Sequence, residues 1–385
     1  MRGAIFKYSV FVLLVFTAGC GFLSDSIDNT ERSFRSPDKV KNKLIAPIRD
    51  SVRLSALWVG HVTVLIQMDD KVILTDPFFT NNIALMQRRV REAGLDIKAI
   101  NKLDMVLLSH PHFDHTNLGS LGLVEKKFPY TNLVFPEGLE EFLPDYSFNF
   151  IPMKKADEKN KIYIGETRTI SGVKITTVAA YHWGGRYGLD GLIWGYDAYT
   201  GYIIQYNGMT VLFAGDTSYD DKFYKYIGGN YDIDLALLPV GPCKECEGDG
   251  KPGKHVYPAG TIKILEDTKA KIMIPLHYGT IREKSEPDFP REVLVKLLKE
   301  KPELEARTKV LNIGEQAVII SKQRAILIRT ALYCIKPFFL KKSDEKLLLF
   351  DNTLIQEIIY QCLTIRLGEI RQGSRITCFR LNRIN

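Results

Sequence analysis

With 385 residues, 45% of them apolar and 25% charged, the chain has the composition of a folded protein with a full-sized core, which excludes general disorder. The formal charge of +7 is unevenly placed: residues 323–385 carry 11 Lys/Arg against 5 Asp/Glu, leaving 41 against 40 in the first 322 residues. The body is therefore nearly neutral, and a nucleic-acid partner, which would need a basic track, is not expected.

Residues 1–7 are short and basic, and residues 8–16 form an apolar run. That run is shorter than the ~20 residues a membrane-spanning helix needs and fits the core of a signal peptide. Thr17-Ala18-Gly19-Cys20 resembles a bacterial lipobox, which would make Cys20 a lipidated N-terminus and the protein a membrane-anchored lipoprotein of the cell envelope. A plain secretory signal or an uncleaved anchor is the other reading. Residues 21–53 are polar and read as a tether.

From residue 54 the pattern turns to strands. Residues 57–67 and 72–76 are β-branched, apolar runs around Asp69-Asp70. Residues 83–99 read as a helical or looped insertion carrying Arg88-Arg89. Residues 105–109 form a short apolar strand that ends at His110, and a helix is expected beyond Leu118. Further apolar strands are predicted at 132–135, 173–180, 202–206, 210–214, 235–239 and 272–276, with helical patterns around 261–267 and 291–301. Strand runs followed by strand–helix alternation predict two packed sheets with helices outside. The last expected strands are 309–312 and 316–320. The catalytic domain is placed at 54–322, and residues 323–385 form a basic extension to which no chemistry is assigned.

Six cysteines make no disulfide framework in a chain this long. Cys243-Lys244-Glu245-Cys246 is a lone Cys-x-x-Cys; a loop disulfide and a zinc site both remain open, the disulfide being favoured in an exported protein.

The chemistry lies in the histidines. Three of the seven fall in His110-Pro111-His112-Phe113-Asp114-His115. Imidazole and carboxylate suit zinc-like ions, and four such groups in six residues exceed what one ion needs, which points to two. Later strand runs end at His182, Asp216 and His277, each a metal-type residue after an apolar stretch. A single histidine at a strand end is usually structural, and an Asp in Gly-Asp-Thr is usually a turn residue. It is their recurrence that favours a metal site.

His-x-His-x-Asp-His with later His, Asp and His resembles the metallo-β-lactamase superfamily. Trp58-Val59-Gly60-His61, Ile73-Leu74-Thr75-Asp76-Pro77, Tyr181-His182-Trp183, Leu192-Ile193-Trp194-Gly195-Tyr196 and Phe213-Ala214-Gly215-Asp216-Thr217 extend the resemblance. They point to the branch of N-acyl-phosphatidylethanolamine phospholipase D and the sugar-phosphate lactonases. The resemblance covers about residues 54–321 and implies an αββα sandwich. It implies His110, His112 and His182 on one ion, Asp114, His115 and His277 on the other, and Asp216 bridging both. The cofactors would be two divalent ions, expected to be Zn2+, with a bridging hydroxide as nucleophile and Asp114 orienting it or handling its proton.

Other residues are read less narrowly. His61 is expected to be buried and hydrogen-bonded beneath the site. His255, in a His-x-x-Pro loop, could bind substrate or protonate a leaving group, although Ala259-Gly260-Thr261 departs from the acidic continuation of the relatives. Asp76 is expected to orient a ligand or a strand end. Arg88-Arg89 could meet a phosphate or form a solvated helix face. Trp183, Tyr187, Trp194 and Tyr196 could line an apolar groove or pack in the core. The expected activity is hydrolysis of a phosphodiester or phospholipid-type ester, with a small-molecule or lipid substrate. Lactone hydrolysis, a non-catalytic metal-binding envelope lipoprotein and, more remotely, a β-lactamase are the alternatives.

Overall fold

Alternating apolar side chains in the first strands serve two different cores. In the computed structural model, which describes residues 35–83, 87–187, 197–282 and 285–322, β1 (Val52–Gly60) and β2 (Thr63–Met68) form an antiparallel pair. Leu54, Ala56, Trp58, Val64, Ile66 and Met68 face the interior between the two sheets, while Leu57, Val59 and Leu65 face outward under a second apolar layer. The leader with Cys20, Trp194, Tyr196 and the extension from residue 323 lie outside the described residues.

The chain continues through β3 (Lys71–Thr75), the small hairpin β4 (Asn82–Ile83) and β5 (Gln87–Arg88), and β6 (Met105–Leu107). Then come α1 (Leu118–Lys127), β7 (Asn132–Pro136) and β8 (Asn149–Met153). With β17 (Gln316–Ser321) these complete a seven-stranded sheet in the order β17-β1-β2-β3-β6-β7-β8, parallel from β3 to β8. Asn117 caps α1 by accepting from Ser120 N at 2.9 Å, and the helix buries Leu121 and Val124 in the outer layer.

The second sheet holds β9 (Ile164–Ile170), β10 (Val173–Val178), β11 (Gly201–Tyr206), β12 (Met209–Phe213), β13 (Leu235–Pro239) and β16 (Ile272–Leu276), in the order β16-β13-β12-β11-β10-β9. Two-residue loops at Ser171-Gly172 and Asn207-Gly208 join β9 to β10 and β11 to β12. Both central residues of each loop have positive φ, the twist that suits tight hairpins. α2 (Asp221–Asn230), the minor pair β14 (Gly250–Lys251) and β15 (His255–Val256), α3 (Pro258–Thr268), α4 (Phe289–Leu298) and α5 (Pro302–Arg307) complete the described order. Ile227, Ile264, Leu265, Leu294 and Leu298 of these helices join the main core. The result is two packed sheets with helices outside, the expected αββα sandwich.

Three local expectations are corrected. Of the two readings of residues 83–99, helical or looped, the α-helix is corrected: among the described residues they hold strand β5, the end of β4 and a 3-10 turn at Ile97–Ala99. Residues 309–312 are no strand, and β17 stands alone after α5. Arg89 is neither a phosphate ligand nor part of a solvated face. Its side chain is 2% exposed, lies 4.6 Å over the Phe78 ring, and donates to the carbonyls of Phe78, Arg91 (3.0 Å) and Val59 (3.4 Å). Burial pushes its pKa down to about 9.

Gly60 makes room for that buried guanidinium. Its φ is +122°, and a Cβ there would stand 2.6 Å from Arg89 Nη2 and 3.0 Å from Thr280 Oγ1. Replacing Gly60→Ala is predicted to cost about 1–3 kcal/mol of stability, read from the midpoint of chemical denaturation. A midpoint equal to that of the native protein would show that this contact does not constrain the fold.

Candidate metal centre

Several of the residues that build the site lie at or just beyond strand ends. Asp76 follows β3, Ser109 and His110 lie just beyond β6, Asp216 lies beyond β12, and His277 follows β16. β3 and β6 are parallel neighbours, as are β12, β13 and β16, so their carboxyl ends reach a common edge of the sandwich. β10 ends at Val178, so His182 comes from the following loop rather than from the strand itself. Asp76, His61 and His277 all have positive φ (33°, 58° and 67°), a conformation that side chains rarely adopt and that clusters at functional sites.

The side chains converge on the Asp216 carboxylate. Its Oδ2 lies 3.2 Å from His277 Nε2, 3.3 Å from His115 Nε2, 3.5 Å from His255 Nδ1 and 3.9 Å from His182 Nε2. On one side, His110 Nε2 and His182 Nε2 approach His112 Nδ1 to 2.8 and 3.3 Å. On the other, Asp114 Oδ2 lies 2.7 Å from His61 Nε2 and 3.5 Å from His115 Nε2. Four overlapping groups could hold an ion: His110, His112 and His182; His61, Asp114, His115 and His277; His110, His115 and Asp216; and His182, Asp216 and His255. The structure thus brings together every ligand candidate named from the sequence.

Most of the rings are held from behind. Asp76 accepts from Ser109 N (2.7 Å) and Ser109 Oγ (2.6 Å), and its Oδ2 meets His115 Nδ1 at 2.8 Å. Ser109 Oγ also meets His110 Nδ1 at 2.9 Å, and the Lys254 carbonyl holds His182 Nδ1 at 2.5 Å. His61 N donates to Thr280 Oγ1 at 2.8 Å, and His277 N donates to the His61 carbonyl at 2.9 Å. Such contacts fix ring orientation and aim the other nitrogen inward. Ser109 was legible as the residue before His110; the Lys254 carbonyl leaves no signal in a sequence.

The two sheets meet at this edge. Thr200 N donates to the Ser109 carbonyl at 3.0 Å, and a Cβ on Gly215 (φ +60°) would stand 2.8 Å from Ser109 Cβ.

Among the described residues, His112 Nε2, His115 Nε2 and Asp216 Oδ1 are buried without a hydrogen-bond partner. Buried polar atoms normally have one, so a set of lone pairs left together fits a cation. The electrostatics agree. Burial, then His115 and His112, drives His110 well below the usual imidazole range. Burial and His277 lower His61 to about 3, and burial and His182 lower His112 to about 3. Burial would raise Asp216, but His277 and His115 outweigh it and hold the carboxylate ionised. Neutral imidazoles and anionic carboxylates are the forms that bind metal, and among the named ligands His115 departs from this, raised by Asp216 and Asp114 against its burial.

Outside the ligands, Trp183 and Tyr187 are exposed rather than packed in the core, at 38% and 66%. Trp183 lies 4.2 Å from the His112 ring. Cys243 and Cys246 are joined as a disulfide in a buried loop against Tyr257, Phe289 and Val293, which removes the zinc reading of that pair.

A family model described as the Beta-lactamase superfamily domain matches residues 71–278, more than half of the chain. The chain belongs to the metallo-β-lactamase superfamily. It is similar to the mitochondrial N-acyl-phosphatidylethanolamine-hydrolyzing phospholipase D of Saccharomyces cerevisiae, 26% identical over 58% of this chain and 47% of that protein. It is also similar to a UPF0173 metal-dependent hydrolase of Pelotomaculum thermopropionicum, 28% identical over 59% of this chain and 85% of that protein. The chain spans 60% of the length of the mycobacterial relatives that it matches at 24% identity. Among solved structures, an isothiocyanate hydrolase from Delia radicum gut bacteria shares the fold, with a TM-score of 0.53 and 16% identity over 69% of this chain and 99% of that one.

Two predictions follow from the geometry. Replacing Asp76→Asn keeps the shape but removes the charge behind His115, and zinc affinity measured by chelator competition is expected to fall about 10–100-fold. Equal affinity would show that the Asp76–His115 contact does not matter for binding. The second concerns pH in the metal-free protein. A histidine whose folded pKa lies below its unfolded value of 6.5 binds its proton more readily when unfolded, so its stability contribution is lost as pH falls. For His61 and His112 that window runs from 6.5 down to about 3. His115, raised by Asp216 and Asp114 against burial, has the opposite sign and stabilises below 6.5, but it is outnumbered. Tm in the presence of chelator should therefore drop between pH 6.5 and pH 4; a flat or rising Tm would contradict it.

Proposed function

We propose that the chain is a metal-dependent hydrolase that binds two divalent ions, zinc foremost, and cleaves a phosphodiester of a lipid-like substrate in the manner of a phospholipase D. The observation that carries this reading is the convergence on one buried carboxylate, Asp216, of rings from both sheets. His110, His112 and His182 would hold one ion; Asp114, His115 and His277 would hold the other, with Asp216 between them. When bound, ions in such a site supply an acidified water and polarise the phosphoryl oxygens.

The chain's own residues supply the rest. Asp114 keeps 20% of its side chain exposed, enough to face an incoming water, and accepts from His61 on its buried side. Water oxygen joins phosphorus, the bond from phosphorus to the head-group oxygen breaks, and the departing alcohol needs a proton. His255, half-buried on β15 and 3.5 Å from Asp216, is placed to give it. His61 belongs to a group of residues able to grip an ion, but while its Nε2 donates to Asp114 that nitrogen has no lone pair to give, so its role here is to hold Asp114. The phosphodiester assignment is supported by similarity to the yeast N-acyl-phosphatidylethanolamine-hydrolyzing phospholipase D, and a lipid anchor at Cys20 in the bacterial envelope would keep the site near such substrates.

Purified protein is expected to hold two equivalents of zinc and to release phosphatidic acid from phospholipids with modified head groups. Asp114→Asn should lower kcat/KM by ~10²–10⁴, and chelation should abolish turnover. Opening of phosphorylated lactones with no action on lipids would overturn the substrate half. Wild-type protein without metal or activity would favour a binding module, and an Asp114→Asn variant as active as wild type would overturn the mechanism.

A further inference from the structure

The turn bearing His110, His112, Asp114 and His115 is short and largely self-bonded: His115 N and Thr116 N donate to the His112 carbonyl, and Thr116 Oγ1 donates to the His110 carbonyl. Two of its other carbonyls, those of Pro111 and Thr116, are reached from outside. Arg186 Nη1 donates to both, at 2.6 and 3.0 Å, while its guanidinium lies 4.3 Å over the Phe113 ring at the centre of the same turn. The residue is 6% exposed. Burying a guanidinium is costly, and burial lowers the Arg186 pKa, so the contacts it makes must offset that cost.

Arg186 stands four residues after His182, on the segment that also places Trp183 4.2 Å from the His112 ring and Tyr187 5.8 Å from the Phe113 ring. The arm that supplies one ring of the cluster therefore grips the turn that supplies the others. We propose that Arg186 is a positioning residue for the metal centre: its guanidinium fixes the His110–His115 turn against the His182 arm, so that rings from two separate loops meet at the spacing that one ion requires. This inference rests on the reading of the site as a metal centre. The flat guanidinium is essential to it: Nη1 alone serves both carbonyls while the plane stacks on Phe113, and a lysine ammonium, which also has donors enough for two carbonyls, has no plane to stack.

The test measures zinc binding, by competition with a chromophoric chelator, for wild type, Arg186→Met, Arg186→Lys and Arg186→Ala, with Tm recorded for each. Arg186→Met, which keeps the apolar stem but strands two buried carbonyls, is expected to bind zinc at least tenfold more weakly. Arg186→Lys should fall between, and added methylguanidinium should restore the affinity of Arg186→Ala at least threefold, a rescue that general destabilisation would not show. In the metal-free proteins, amide exchange at residues 112–116 should be at least tenfold faster in the Met variant. If Arg186→Met fails to fold, the Lys variant and the rescue of the Ala variant decide the matter alone. Zinc affinities within twofold of wild type, or a weakened Ala variant that methylguanidinium leaves unchanged, overturn the proposal. Wild-type protein that binds no zinc overturns the metal reading itself, an outcome distinct from variants that bind as well as wild type.

Discussion

A carboxylate buried among imidazoles is the constraint on which this site depends. Asp216 is 3% exposed, and desolvation alone would favour its neutral form. It stays ionised because His277 and His115 outweigh that burial, while His182 and His255 complete a ring of imidazoles from four segments. Those rings come from both halves of the sandwich, so neither sheet alone builds the site. Packing of the two sheets and assembly of the chemistry are the same event.

Such a centre is costly for the fold. Rings that burial keeps neutral and carboxylates that rings keep charged contribute little stability by themselves, and lone pairs at His112, His115 and Asp216 are left without protein partners. The surrounding apolar layers offset this: β6 buries Met105 and Leu107 on one face and Val106 on the other, where Leu108 just beyond the strand joins it. With both faces covered, strand ends are rigid enough to hold backbone in the left-handed region at His61, Asp76 and His277.

Much of this was legible in the sequence, for identifiable reasons. Buried parallel strands read as unbroken apolar runs, so β6, β12, β13 and β16 could be found, and the polar residues after β6, β12 and β16 marked the active edge. The hairpin at β4–β5 was not legible, because two-residue strands have no measurable period. α2 was obscured by Gly228 and Gly229, poor helix formers that occupy its last turn. Arg89 misled because a charged residue beside another in a polar stretch normally faces water; only the pocket of carbonyls left open by Gly60 shows why this one does not. Contacts made through backbone atoms, such as the Lys254 carbonyl on His182, have no counterpart in side-chain identity and could not be foreseen.

The approach of Gly215 to Ser109 has a wider meaning. Each is the residue immediately before a metal-type side chain, Asp216 beyond one sheet and His110 beyond the other, and Ser109 Cβ comes so near that no β-carbon would fit on the glycine without displacing it. The spacing of the two loops is therefore gauged by a glycine that lacks a side chain against the first carbon of a serine, an atom that no rotamer change moves. A protein built this way holds the two loops at one distance while the side chains around them are free to vary.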